Sequence, residues 1–133
     1  MLRTILLVGC GGFLGAVSRY FVALRMSSAL DGLRFPWAIF TVNMIGCFCI
    51  GVLASVFAAR EEWSAKEGLA LFLIAGFLGS FTTFSTFGLE TLTLLRENRL
   101  GAAASYVGAS VVVGVLLVAA GFWLGGRWVN LSG

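Results

Sequence analysis

The chain is 133 residues long, 59% hydrophobic and 11% charged, with nine Lys and Arg, six Asp and Glu, no His, eighteen Gly and one Pro. Soluble domains carry roughly a quarter charged residues, so water is excluded as the solvent for most of this surface. The net charge of +3 does not indicate nucleic acid, because the basic residues are scattered through the loops rather than gathered on one face.

Short charged segments around Leu30–Phe35, Arg60–Glu67 and Arg96–Arg99 separate long apolar stretches. Each stretch reaches the roughly 20 residues that cross a bilayer. The expected fold is therefore all-α, an integral membrane protein of four transmembrane helices forming one domain over residues 1–133. The spans are Thr4–Met26, Pro36–Ala59, Gly68–Leu95 and Gly101–Trp128.

In the first span, Arg3 followed by Leu7-Val8-Gly9-Cys10 imitates a lipoprotein signal. The apolar core before Cys10 is too short for one, and hydrophobicity continues past it. Gly9, Gly11, Gly12 and Gly15 imitate a dinucleotide fingerprint, but the spacing is wrong and no βαβ pattern surrounds them. Gly11-xxx-Gly15 is better read as the small-xxx-small pattern that brings membrane helices together. Arg19 lies deeper in the same span.

The second span opens at Pro36, which suits a first helical turn because its missing N–H costs nothing there. It carries Asn43, Cys47 and Cys49. With no His in the chain, the cysteines lack the usual partners for a zinc or copper site and are read as small apolar packing residues. The third span holds the run Gly76-Phe-Leu-Gly-Ser-Phe-Thr-Thr-Phe-Ser-Thr-Phe-Gly88, followed by Glu90. The fourth carries Tyr106 and Ser110, four apart and on one face. Trp37, Trp63, Trp123 and Trp128 fall near span ends, where amphipathic rings favour the headgroup level.

Four spans put both termini and the middle loop on one side, with Arg3, Arg60, Lys66 and Arg127. The opposite side has Arg25, Arg34, Arg96 and Arg99, a tie of four against four. Since the Lys and Arg excess of short loops sets orientation, a tie leaves the direction of insertion open. Either Arg25 or Arg34 lies partly within a helix end and the tie is accidental, or the chain has dual topology, an inverted pair giving in two chains the inverted-repeat symmetry that many transporters carry in one.

The Gly- and hydroxyl-rich run in the third span points either to a break in the helix or to a flexible helix whose hydroxyls bond back to their own carbonyls. Backbone groups freed at membrane depth must be re-satisfied by protein or by water in a cavity. Freed carbonyls can meet a hard cation and freed N–H groups an anion. Phe84 and Phe87, three apart, share a face, and their positive ring edges can line an anion path. Ser85 and Thr86 beside them can donate hydrogen bonds. Asn43, Arg19, Glu90, Tyr106 and Ser110 are the other polar candidates, since intramembrane polar groups usually face an interior or a water-filled path; the alternatives are that Arg19 snorkels to the end of its helix, that Asn43 makes a helix–helix hydrogen bond and that Glu90 pairs with a neighbouring donor. No catalytic triad, carboxylate pair or phosphate loop occurs, so no enzymatic machinery is visible.

These residues resemble the bacterial fluoride channels, the Fluc or CrcB family. Gly11-Gly-Phe-Leu-Gly-Ala-Val-Ser-Arg-Tyr20 is similar to the family's first-helix motif, Thr41-Val-Asn-Met-Ile-Gly46 to the second, and Gly76 through Phe87 to the highly specific third. Tyr106 and Ser110 match a weaker fourth-helix pattern. The resemblance implies an antiparallel, dual-topology homodimer in the bacterial inner membrane that passively exports fluoride and protects against its toxicity. It implies a structural sodium ion at the dimer centre, held by the backbone carbonyls of Gly79 and Thr82. It further implies that Phe84 and Phe87 flank the fluoride path, that Asn43 is a pore-end amide, and that Ser85, Thr86, Tyr106 and Ser110 form the polar lining. Arg19 and Glu90 match charged positions near the path.

Two other readings compete. A proton-coupled exporter of the small multidrug type is also four-helix and dual-topology, but it depends on a first-helix carboxylate where this chain has Arg19. A non-conducting membrane scaffold could use the same small-residue packing, yet it gives no reason for the hydroxyl-rich run.

Overall fold

In the hydrocarbon core of a bilayer each backbone N–H and C=O must find its partner within the protein, and a helix does this within one segment. The computed structural model describes residues 1–29, 35–58 and 63–132, and every regular element among them is helical. Helix α1 covers Leu2–Ala29 and α2 covers Trp37–Ala58. The third span is built in pieces: α3 (Trp63–Ala70), a π-helical segment (Leu71–Leu78), the single turn α4 (Gly79–Phe81), and α5 (Phe84–Arg96). Helix α6 (Leu100–Ser132) completes the chain. Among the described residues four segments are long and apolar enough to cross a membrane, as expected from the sequence.

The helix ends follow local chemistry. Pro36 stands just before α2 and not inside its first turn, with its carbonyl accepting from the Phe40 N–H at 3.1 Å. At the end of α5 the chain reverses through Asn98, whose φ of 57° is in the left-handed region. The Asn98 and Arg99 N–H groups reach back to the Leu95 and Leu94 carbonyls at 3.0 and 2.9 Å. That pair of bonds is the Schellman arrangement, and Asn is the residue after Gly best able to hold it. The third and fourth spans are thereby joined by a tight antiparallel turn.

Small residues set which spans lie together. Gly11 faces Phe72 and Gly76, and Gly15 faces the backbone of Phe77, so α1 and the third span rise together and are parallel. A Cβ on Gly76 would stand 3.0 Å from the Gly11 Cα, an approach that only paired glycines allow. The Gly11-xxx-Gly15 pattern is thus a helix-packing surface. On the other side Gly114 faces Met44 and Cys47, Gly121 faces Phe48 and Val52, and Gly125 faces Val52 and Ser55, which makes α2 and α6 parallel as well. Two parallel pairs of alternate spans require an up-down-up-down path. Arg34, Arg60 and Ala59, together with the side chains of Trp63 and Lys66, lie outside the described residues, so the charge tie rests on the sequence.

Burial is uneven. In the most apolar windows α2 is 33% buried, while α1 and α6 are each 11% buried. The second span is central, and the outer spans turn long rows of Leu, Val and Phe outward, as lipid contact requires. One compact cluster stands out at an end of the bundle. Leu94, Ala103 and the fully buried Tyr106 pack with Phe35, Phe40 and Phe87.

Candidate functional site

The break in the third span is located at Thr82 and Thr83, whose backbones are extended (φ −83°, ψ 158° and φ −149°, ψ 119°). Helix α2 makes room for it and braces it. Gly46 lies against the Thr82 side chain so closely that a Cβ there would overlap the Thr82 methyl. One turn earlier on the same face, Asn43 turns its carboxamide onto Thr83. Its Oδ1 accepts the Thr83 N–H at 2.9 Å, and its Nδ2 donates to the Thr83 carbonyl at 3.2 Å.

The hydroxyls of the run complete the arrangement. Thr83 is the N-cap of α5, its Oγ1 accepting the Thr86 N–H at 3.3 Å. The same hydroxyl donates to Thr86 Oγ1 at 3.1 Å and lies 3.2 Å from Ser85 Oγ. Thr82 donates its hydroxyl to the Leu78 carbonyl at 3.0 Å. Upstream, the π-helical turn ends where the Gly79 N–H is shared between the Ile74 and Gly76 carbonyls. A π segment next to an interruption fits the general association of such segments with functional sites.

Beside the break opens a groove of about 390 Å³ whose wall includes Asn43, Gly79, Thr82, Phe84, Phe87 and Ser110. Most of the residues named from the sequence therefore meet on one surface. The Phe84 and Phe87 rings are 5.6 Å apart and inclined at 37°. Their surroundings differ: Phe84 is 84% exposed, whereas Phe87 packs on Tyr106 at 5.1 Å.

A second groove, of about 480 Å³, runs along α5 and is lined by Thr86, Glu90, Thr93 and Glu97, with Phe35 and Arg99 opposite. The spacing of those four residues is that of a single helix face. Tyr106 does not stand on the first groove with Ser110. Its ring is buried in the aromatic cluster and its hydroxyl donates to Glu90 Oε2 at 2.6 Å. Arg99 pairs with Glu97 at 3.4 Å in an exposed position, where such a pair contributes little.

Ser85 is exposed and joins the hydroxyl set through Thr83. Arg19 is half-buried one turn beyond Gly15, and among the described residues it forms no ion pair with Glu90. Thr83, the residue on which the bonds of the break converge, was not singled out from the sequence. Its signal is a Thr just ahead of a helical segment, since hydroxyl residues are preferred N-caps.

The fold and the groove define a multi-pass membrane protein built around an interrupted third span, with polar groups gathered at membrane depth. The profile of the family described as CrcB-like protein, Camphor Resistance (CrcB) matches residues 6–122. The chain is 46% identical to a fluoride-specific ion channel FluC of Methylobacillus flagellatus over 129 residues, 96% of this chain and 95% of that one. It is 44% identical to one of Agrobacterium fabrum over 121 residues, covering 91% and 94%. It is 41% identical to one of Acidobacterium capsulatum over 122 residues, covering 92% and 95%. The chain belongs to the CrcB-like family.

Proposed function

We propose that this protein is a fluoride-selective channel that lets fluoride leave the bacterial cytoplasm passively, and that it works as an antiparallel homodimer of dual topology. The observation that carries the reading is the groove in which the broken helix, Asn43, Phe84, Phe87 and Ser110 share one wall, in a chain so similar to proteins named as fluoride-specific ion channels.

Fluoride enters cells as its neutral acid in acidic surroundings and is trapped when it ionises. An inside-negative potential drives the anion outward by about 2.3 kcal/mol per 100 mV, so no energy-coupling device is needed. A pore must replace the water that fluoride gives up without binding it too tightly to release. Hydroxyl donors at Thr86 and Ser110, the second N–H of Asn43, and the positive edges of Phe84 and Phe87 supply that kind of replacement, while the Ser85 proton is directed to Thr83. Glu90 and Tyr106 stand along the neighbouring groove on α5. The exposed Phe84 ring and the open groove leave the wall incomplete in one chain, which supports a second copy closing it.

A sodium ion at the centre of the dimer would be held by the Gly79 and Thr82 carbonyls and would supply a fixed positive charge joining the two chains. The residues fit such an ion, since each of these carbonyls lacks the backbone N–H that a continuous helix would bring to it. The drug-exporter alternative finds no support: α1 contains Arg19 and neither Asp nor Glu.

The test is fluoride efflux from liposomes. Phe84→Ile and Phe87→Ile keep most of the volume and remove the ring quadrupole, so efflux is expected to fall at least tenfold while size-exclusion elution is unchanged. Phe77→Ile, whose ring stacks on Phe81 away from that groove, is expected to retain most activity. Wild-type efflux in both Phe84 and Phe87 variants would remove the rings from the path.

A further inference from the structure

In an unbroken α-helix the N–H of residue i is bonded to the carbonyl of residue i−4. The partner of the Gly79 carbonyl would be the Thr83 N–H, and the partner of the Thr82 carbonyl would be the Thr86 N–H. Both donors are taken elsewhere, and by side chains. The Thr83 N–H goes to Asn43 Oδ1 at 2.9 Å, and the Thr86 N–H goes to Thr83 Oγ1 at 3.3 Å. An ordinary kink leaves donors and acceptors unpaired together, which hydrocarbon penalises. Here the two donors that the Gly79 and Thr82 carbonyls lose are each taken by a side chain, so those two acceptors are released without stranding their own partners.

We infer that Asn43 and Thr83 are positioning residues for the central cation, each diverting one backbone N–H so that the carbonyls of Gly79 and Thr82 are free to meet it. The inference rests on the sodium reading above and goes beyond it by naming the side chains that make the carbonyls available. Asn43 has a further grip, because its Nδ2 donates to the Thr83 carbonyl at 3.2 Å. The carboxamide thus holds both backbone groups of one residue and fixes the plane of the chain between the two released carbonyls. Thr83 is buried, 8% exposed, and its hydroxyl is held by Thr86 and Ser85 as well. Gly46 and the Thr82 methyl lock the same segment against α2 from the next turn. The diversion is chemically one-directional: an amide oxygen and a hydroxyl oxygen accept, as a backbone N–H requires, while an apolar side chain of the same shape cannot.

The experiment uses the full chain, purified as its natural assembly in detergent, with sodium chloride replaced stepwise by N-methylglucamine chloride at constant ionic strength. The readouts are the sodium concentration that gives half-maximal protection against thermal dissociation, and hydrogen exchange at the Thr83 and Thr86 amides. Thr83→Val keeps the β-branched shape and deletes the acceptor. It is expected to raise the half-maximal sodium concentration about tenfold, equivalent to about 1.4 kcal/mol, which is the size of a net hydrogen bond. Thr83→Ser restores the acceptor and is expected to stay within about twofold of wild type, a rescue that loss of packing would not produce. Asn43→Leu is expected to shift the sodium response in the same direction and to speed exchange at Thr83. Equal sodium responses in wild type, Thr83→Val and Asn43→Leu would overturn this inference and leave the sodium reading standing. A wild-type protein indifferent to sodium would overturn both.

Discussion

The bond between Tyr106 and Glu90 can be weighed against the ring packing that surrounds it. At 2.6 Å it falls in the range of a hydroxyl donating to a carboxylate, and Tyr106 is fully buried. Hydrogen bonds to charged groups contribute about 1.5–3 kcal/mol in soluble proteins. Side-chain hydrogen bonds between membrane helices average about 0.6 kcal/mol and reach about 1.7. A short bond from a buried donor belongs near the top of the membrane range, so Tyr106→Phe is expected to lower stability by about 1.5 kcal/mol. Glu90→Gln keeps an acceptor in place and is expected to cost less. Glu90→Leu removes the acceptor, and its double variant with Tyr106→Phe gives a coupling energy of about 1 kcal/mol or more, since the two positions touch. Tyr106→Ala also removes the ring that packs on Phe35 at 5.4 Å and on Phe87 at 5.1 Å, and about 3–5 kcal/mol is expected for it. Unfolding free energies would be measured by titrating folded protein in mild detergent with dodecyl sulfate, following Trp fluorescence. A coupling below about 0.3 kcal/mol, within the scatter of independent sites, would refute the assignment of this bond as the tie between α5 and α6.

Other expectations can be checked with simpler measurements. Gly15→Ala, whose new methyl would meet the Phe77 backbone, is expected to cost about 1–3 kcal/mol in the same titration. Gly9→Ala, with nothing within 4 Å, is expected to be neutral or to stabilise by up to about 1 kcal/mol through helix propensity; equal losses at both sites would contradict the packing of α1 on the third span. C-terminal reporter fusions are expected to be active on both sides of the membrane, and a signal from one side only would end the dual-topology proposal. Thr82→Val removes a hydroxyl bonded to the Leu78 carbonyl but no backbone group. It is therefore expected to shift the sodium response less than Thr83→Val, and the reverse order would mean that hydroxyls, not carbonyls, face the cation.

The spans were legible because hydrocarbon imposes one rule on every residue inside it, and the break was legible because Gly and hydroxyl residues have little other reason to concentrate at mid-depth. Asn43, Phe84, Phe87 and Ser110 could be named as candidates, since each is unusual for its position or spacing. What they do to one another was hidden in the pairing of α2 with the third span. Asn43 is 40 residues from Thr83, and no periodicity connects them. The separation of Tyr106 from Ser110 was hidden for a related reason: their four-residue spacing places both on one face of α6, but the aromatic cluster takes one and the groove takes the other. The π-helical segment Leu71–Leu78 had no sequence sign, because its apolar composition is equally compatible with an ordinary helix; the close seat of Gly76 on Gly11 becomes visible only when α1 is in place.

The interruption at Thr82 and Thr83 also bears on how the protein is made. The stretch Glu67–Arg96 is apolar enough to enter the bilayer as one segment, with a mean hydropathy of 1.7 in its best window. Its last piece, α5, has thirteen residues and is about 20 Å long, short of the roughly 30 Å hydrocarbon core, so it cannot span by itself. While this stretch is surrounded by lipid alone, an unsatisfied N–H costs several kcal/mol, and the straight helix is the favoured form. Asn43 is synthesised and inserted earlier, on α2, and waits there. The Asn43 bonds of the bend are therefore expected to form when the third span docks on the second, whereas the Thr83 cap is available within the third span itself.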